Sequence, residues 1–327
     1  MPNSPKIIVT GGAGFIGSAV VWRLNQMGRD DILIVDKMDE TDKWKNLAPL
    51  RFADYIEAVD LLDLIDDLRG VETIFHLGAC SSTTERDADM MLRNNYQYTK
   101  ELADWAMAGK VRFIYASSAA TYGDGSAGMA DGISGLDDLR PLNVYGYSKH
   151  LFDQYAARNG WFDNIVGLKY FNVFGPNEEH KGDMRSLVSK AYGQIMETGR
   201  MQLFKSHDPG YKNGEFGRDF VYVKDAVDMT LFFMENEAGG LFNVGSGRMQ
   251  TWNALANAIF AAMDRPAEIE YVEMPDHLRD RYQYRTEADL SRIREAGFEG
   301  GITPLESAVA DYVQNYLIPG KHLGDLK

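Results

Sequence analysis

Tyr145 and Lys149 stand four residues apart, so on a helix both project from one face. A phenol is an unreactive base at neutral pH, with a normal pKa of ~10, and lowering it by ~3 units takes about 4 kcal/mol of differential stabilisation. A lysine ammonium one turn away and the positive ring of an oxidised nicotinamide are the kinds of charge that supply it. Ser118, just past an expected strand in Y-A-S-S-A-A-T-Y-G (115–123), would orient the reacting hydroxyl. This trio suits proton abstraction from an alcohol as a hydride leaves its carbon. The same pair also arises by chance on exposed helices, so its meaning depends on its company.

That company begins at Lys6–Gly17, K-I-I-V-T-G-G-A-G-F-I-G. Apolar and β-branched residues end abruptly in glycines, and a helical apolar pattern starts at Phe15, which reads as strand, tight turn and helix. Gly12, Gly14 and Gly17 fit G-x-G-x-x-G, while Gly11, Gly14 and Gly17 fit the shifted spacing. Only glycine lets the backbone approach a pyrophosphate so closely, and the helix N-terminus adds free N–H groups and positive dipole. A second strand ends in Asp36, about 20 residues further on, where an acid is expected to hold the adenosine ribose.

These groups need a scaffold. Strands are expected at Ile7–Thr10, Asp31–Asp36, Tyr55–Val59, Glu72–His76, Val111–Ala116 and Ile165–Lys169, with helices over Ala13–Met27, Leu61–Leu68, Asp87–Ala108 and from about Asn143 to Arg158. Such alternation predicts an α/β fold, a Rossmann-type doubly wound parallel sheet joined by right-handed crossovers, with its site beyond the C-terminal strand ends. Gly123–Pro141, rich in glycine and acids, is expected to be a mobile surface loop. Beyond Pro176 the alternation fades, although Phe220–Val223 and Leu241–Val244 are expected to return to the sheet. Residues 1–172 plus 219–247 form the expected dinucleotide-binding domain, and 173–218 plus 248–327 a smaller, discontinuous α/β substrate domain, with a cleft between them.

Bulk properties narrow the partners. The chain has 327 residues, 45% of them hydrophobic, with 34 Lys+Arg against 48 Asp+Glu and a net charge of -14, so no basic stretch offers a nucleic-acid footprint. A single cysteine, Cys80, excludes an intramolecular disulfide and suits a reducing cytosol; it is expected to pack beside the cofactor. The six histidines lack metal-ligand spacing, so no metal is expected. Neither a signal peptide nor an apolar run of ~18 residues is legible, and a cytoplasmic protein without membrane contact is the expectation.

Together T-G-G-A-G-F-I-G, Asp36, Ser118, Tyr145 and Lys149 resemble the extended short-chain dehydrogenase/reductase family, over almost the whole chain. Longer strings, including H-L-G-A-C-S-S-T-T (76–84), N-N-Y-Q-Y-T-K-E-L (94–102), P-L-N-V-Y-G-Y-S-K, Y-F-N-V-F-G-P-N-E-x-H-K-G, R-D-F-V-Y-V (218–223) and R-Y-Q (281–283), are similar to those of its ADP-heptose 6-epimerase branch. The resemblance implies NADP-dependent inversion at C6 of an ADP-heptose, for lipopolysaccharide inner-core supply, by a homo-oligomer, a pentamer. It also implies roles. Tyr145 and Lys181 are the two proton acceptors, Ser118 assists and contacts substrate, and Lys149 binds cofactor. Phe15, Ile16, Asp36, Lys37, Lys43, Asn94, Val173 and Lys181 match cofactor contacts, as do Leu77, Gly78, Ala79, Cys80 and Ser81. Asn172, Arg218 and Tyr282 match substrate contacts, as do Phe204, Lys205, Ser206 and His207.

The chain departs from that pattern in places. Ala58 stands where a cofactor-contacting lysine occurs, Leu77 replaces a glutamate, and Asp183 and Lys190 take substrate-site positions that can be serine and histidine. The loop 207–217 is longer. Asp36 repels a 2′-phosphate whereas Lys37 and Lys43 can accept one, so NADP is expected, with NAD as the alternative. Two rivals are a UDP-hexose 4-epimerase and a non-catalytic nucleotide-sensing module. A 4-epimerase would not need Lys181, and sensing modules of this fold typically lose the tyrosine or lysine. A dehydratase would need an Asp-Glu pair where Ala119 and Ala120 stand.

Overall fold

The computed structural model describes residues 5–279 and 282–325. Strands β1 (Ile7–Thr10), β2 (Ile32–Asp36), β3 (Asp54–Glu57), β4 (Thr73–His76), β5 (Arg112–Ser118) and β6 (Ile165–Tyr170) come first. Then follow β7 (Asn172–Phe174), β8 (Met201–Phe204), β9 (Gly217–Tyr222), β10 (Gly240–Val244), β11 (Met249–Thr251) and β12 (Ile269–Val272). Seven of them form one wholly parallel sheet in the order β10-β6-β5-β4-β1-β2-β3. β1, β2, β4, β6 and β10 are buried along their whole length, as expected for strands covered on both faces. The edge strand β3, D-Y-I-E, is half open to solvent.

Helices Phe15–Gln26 and Val223–Phe232 cover one face of the sheet, and Tyr98–Gly109 and Val144–Arg158 the other. The first core continues without a break into helices Leu187–Thr198, Trp252–Ala262 and Leu305–Tyr312. Helix Tyr98–Gly109 is joined to Ala88–Leu92 through one π-helical stretch, and Asp87 caps the start by accepting the Met90 N–H at 2.9 Å.

Two expectations need correction. β9 does not return to the main sheet: it pairs with β7 and β11 in a separate three-stranded sheet. β10 already occupies the free edge of β6, from Gly240 opposite Val166 to Val244 opposite Tyr170, so the chain leaving β6 carries β9 elsewhere. Nor is Gly123–Pro141 simply a surface loop. Asp131, Leu136 and Leu139 are buried, and Asp131 Oδ2 accepts the Asn243 N–H of β10 at 2.7 Å. The parallel pair β8–β12 has no counterpart in the sequence reading, because each run is short and half-exposed. Among the described residues no helix is long and apolar enough to cross a membrane.

Candidate active site

The strand order reverses between β1 and β4, and a cleft of about 1330 Å³ opens beyond the strand ends there. Its floor contains the glycine loop. A Cβ on Gly17 would collide with the Gly11 carbonyl oxygen, so the helix packs onto the loop only with glycine. Gly14 caps helix Phe15–Gln26 with no side-chain hydrogen bond, which leaves the first-turn N–H groups free to face an anion. Asp36 braces the same loop: its carboxylate accepts the Ala13 N–H at 2.8 Å and the Lys37 N–H at 2.7 Å, and pairs with Lys43 Nζ at 2.9 Å. A glycine cradle and a helix start without a cap of its own fit a dinucleotide pyrophosphate.

Leu77–Ser81, at the end of β4, lines the cleft. Asn95 holds this segment in place, accepting the Cys80 N–H and donating to the Cys80 carbonyl, both at 2.9 Å. It also donates to Ser148 Oγ at 3.1 Å, tying the segment to the helix of Tyr145.

That helix, Val144–Arg158, starts at Asn143, whose side chain accepts the Gly146 N–H at 2.8 Å. A Cβ on Gly146 would lie 2.7 Å from the Ala120 carbonyl oxygen, so glycine lets the helix start press against the turn after β5. Tyr145 and Ser118 thereby come to line the cleft together, with Ser118 Oγ accepting the Ala120 N–H at 3.1 Å. Burial pushes the Tyr145 pKa up, and the nearby Ser118 hydroxyl opposes the rise. Lys149 is only 3% exposed, and burial lowers it to about 8 against the opposing pull of Asp153. In the cofactor-free fold burial, rather than Lys149, sets the direction of the Tyr145 shift.

Beneath the pair, sequence reasoning passed over Asp153, one further step of four along the helix. Its buried carboxylate accepts from Tyr115 Oη at 2.7 Å and Ser117 Oγ at 2.8 Å, and pairs with the fully buried Lys169 at 3.1 Å. The repeat of four was the available signal.

Lys181 lies in the short 3₁₀ segment Glu179–Met184 and lines the same cleft, its Nζ 5.3 Å from the centre of the Phe15 ring. Burial lowers its pKa, and the Glu178 carboxylate opposes this. His180 beside it also lines the cleft and is lowered to about 4, chiefly by burial, so it is neutral near pH 7.

The structure brings Gly11, Gly14, Phe15, Ile16, Gly17, Asp36 and Lys43 into this cleft with Leu77–Ser81, Ser118, Tyr145, Lys149 and Lys181. Asn172, Val173, Lys190, Phe204 and Tyr282 line it too. Other expected contacts stand outside its wall. Lys37 is exposed and pairs with Asp39 at 2.8 Å, and Asn94 is exposed with its amide on the Met90 sulfur. Asp183 is exposed; Lys205 and His207 both turn to Glu273, at 2.7 and 3.5 Å, while Ser206 Oγ donates to the Asp208 carbonyl. Arg218 is set behind the wall, its guanidinium 5.1 Å from the Tyr282 ring and 5.8 Å from Trp252. Arg281 lies outside the described residues. Phe216, Gln194, Gln202 and Trp252 line the cleft unforeseen, and no spacing in the sequence pointed to them. The long loop 207–217 folds back, with Tyr211 stacked on Tyr284 at 5.4 Å.

A family model described as the NAD dependent epimerase/dehydratase family matches residues 7–245. A protein of Nitratidesulfovibrio vulgaris named ADP-L-glycero-D-manno-heptose-6-epimerase is 51% identical, covering 95% of this chain and 97% of its own. One of the same name from Fusobacterium nucleatum is 46% identical, covering 95% and 98%. The crystal structure of the Helicobacter pylori protein of that name matches with a TM-score of 0.80 at 26% identity, covering 96% of each chain.

Proposed function

The chain belongs to the NAD dependent epimerase/dehydratase family, and from that premise we propose that it inverts C6 of ADP-D-glycero-β-D-manno-heptose to give the L-glycero epimer. One observation carries this reading: Tyr145 and Lys181, two groups able to take a proton, line the same cleft as the glycine cradle. The names of relatives at 46–51% identity agree with it.

Inversion needs both groups. Removing hydride from C6 flattens the carbon to a ketone, and return of hydride to the opposite face sets the new configuration. Each epimer presents its hydroxyl differently, so Tyr145 takes the proton from one and Lys181 from the other. Ser118 holds the reacting oxygen against Tyr145. Lys149 holds the cofactor ribose and Asp36, Lys43 and the glycine loop its adenosine end. When bound, the nicotinamide accepts and returns the hydride and adds a positive ring that favours the Tyr145 phenolate. Burial of Lys181 suits this role, because it lowers the pKa and so favours the free amine.

The cofactor is NAD-type, and we assign NADP because Lys43 can turn from Asp36 to a 2′-phosphate. Lys43→Ala should weaken NADP binding about tenfold more than NAD binding, by fluorescence titration of the reduced forms. Residues 1–172 plus 219–247 carry the cofactor and 173–218 plus 248–327 the sugar nucleotide. The site of action is the cytoplasm, where lipopolysaccharide inner-core heptose is supplied, and the assembly is a pentamer, which sedimentation equilibrium would test.

The deciding experiment is proton NMR of ADP-D-glycero-D-manno-heptose incubated with purified protein and no added cofactor. Appearance of the L-glycero epimer establishes the reaction and a retained cofactor. No change even with NADP or NAD added sinks the assignment and directs the search to UDP- and dTDP-sugars. A UDP-hexose 4-epimerase would remain active as Lys181→Met.

A further inference from the structure

Lys181 sits in a segment too short and irregular to hold a side chain by itself, yet its surroundings are tightly fixed. Asn177, at φ 77° and fully buried, precedes it. The Asn177 amide donates to Ser18 Oγ in the helix after the glycine loop at 2.9 Å, and its Oδ1 accepts the Leu323 N–H at 2.9 Å. Asn46, 2% exposed, lies just after Lys43. Its amide nitrogen faces the Ala13 carbonyl at 3.0 Å, the Asn177 carbonyl at 3.2 Å and His180 Nδ1 at 3.3 Å. Asn46 Oδ1 in turn accepts from His322 Nδ1 at 3.0 Å. Leu323 itself is fully buried in the core. Two adjacent residues near the end of the chain thus grip both asparagines.

We propose that the segment His322–Leu323 is a positioning element for Lys181, clasping the loop 177–182 to the glycine loop and to the Lys43 segment through Asn177 and Asn46. Because Asn46 touches Ala13 and both asparagine contacts reach the Lys181 loop, the clasp makes the second base and the cofactor cradle one rigid unit. The first base needs no such device, since its helix fixes it. The inference rests on the reading of Lys181 as a base, and its kinetic arm tests the two together.

The test uses the full chain with its bound cofactor. His322→Ala removes the donor to Asn46, and His322→Asn restores it, because an asparagine Nδ2 stands where histidine Nδ1 did. Single-turnover reduction of the bound cofactor is followed by absorbance, starting from each ADP-heptose epimer. Lys181→Met identifies the direction that depends on Lys181. In that direction His322→Ala should slow reduction about tenfold, as for loss of one positioning hydrogen bond, with the other direction within about twofold. His322→Asn should recover most of the rate. Equal slowing in both directions, no slowing in either, or no recovery would overturn the proposal. A second readout is the rate of Lys181 acetylation by acetic anhydride, measured by mass spectrometry. It should rise in His322→Ala and fall back in His322→Asn, and an unchanged rate counts against the clasp. Should the wild-type protein reduce no cofactor with either epimer, the functional reading fails, and the labelling rates still decide the clasp.

Discussion

The two proton-accepting groups of the cleft are held in opposite ways. Tyr145 rides on a fifteen-residue helix, with its partners Lys149 and Asp153 at successive steps of four on the same face. Lys181 rides on six residues of 3₁₀ helix interrupted at Gly182, and what fixes it comes from Ser18, Asn46 and Leu323, far away in the chain. Both amines are desolvated, which lowers their pKa values for the same reason. Regular secondary structure positions one base by periodicity, and long-range hydrogen bonds position the other. Each arrangement should therefore break differently.

The largest effect is expected on the helical side. Tyr145→Phe should reduce epimerisation about a thousandfold, by NMR rate measurement, while bound cofactor is retained. Retained activity within about tenfold would remove Tyr145 from the chemistry. Lys181→Met should cost about a hundredfold in overall epimerisation and leave cofactor reduction from one epimer nearly intact. Equal loss in both directions would erase the contrast between the bases.

Lys149 sharpens the comparison through stability. Its folded pKa of about 8 lies below the unfolded value of 10.5, so between these the unfolded chain binds more protons and stability rises with pH. Below pH 8 the charged, buried ammonium costs the cofactor-free fold about 3 kcal/mol. Lys149→Met should recover much of that at pH 7, flatten the rise between pH 8 and 10.5, and lose cofactor. A variant less stable than the parent in urea unfolding at pH 7 would contradict this. Smallest is Gly146→Ala, whose new methyl must displace the Ala120 carbonyl at a cost of about 1–3 kcal/mol. It should lower activity through Tyr145 and leave Lys181 acetylation unchanged, and a changed labelling rate would show that the two bases are not held independently.

Much of the scaffold was legible because it obeys short-range rules. The glycine loop, Asp36 and the alternation of buried strands with helices lie within a few residues of their own signals. The misreadings share another cause. Phe220–Val223 has the composition of a sheet strand, yet its neighbour was decided by β10 taking the edge of β6. Gly123–Pro141 looked like a loop because nothing local announces that Asp131 will cap the Asn243 N–H of β10.

The sequence by itself determined the α/β class, the glycine cradle and the Tyr145–Lys149 face, since each depends on spacing along one strand, turn or helix. Tertiary structure alone decided that burial raises the Tyr145 phenol and lowers both amines, since desolvation depends on everything packed around a group. It also decided that His322 and Leu323, more than 130 positions from the Lys181 loop, hold that loop to the glycine turn. Hydrogen bonds between segments so distant leave no periodicity to read.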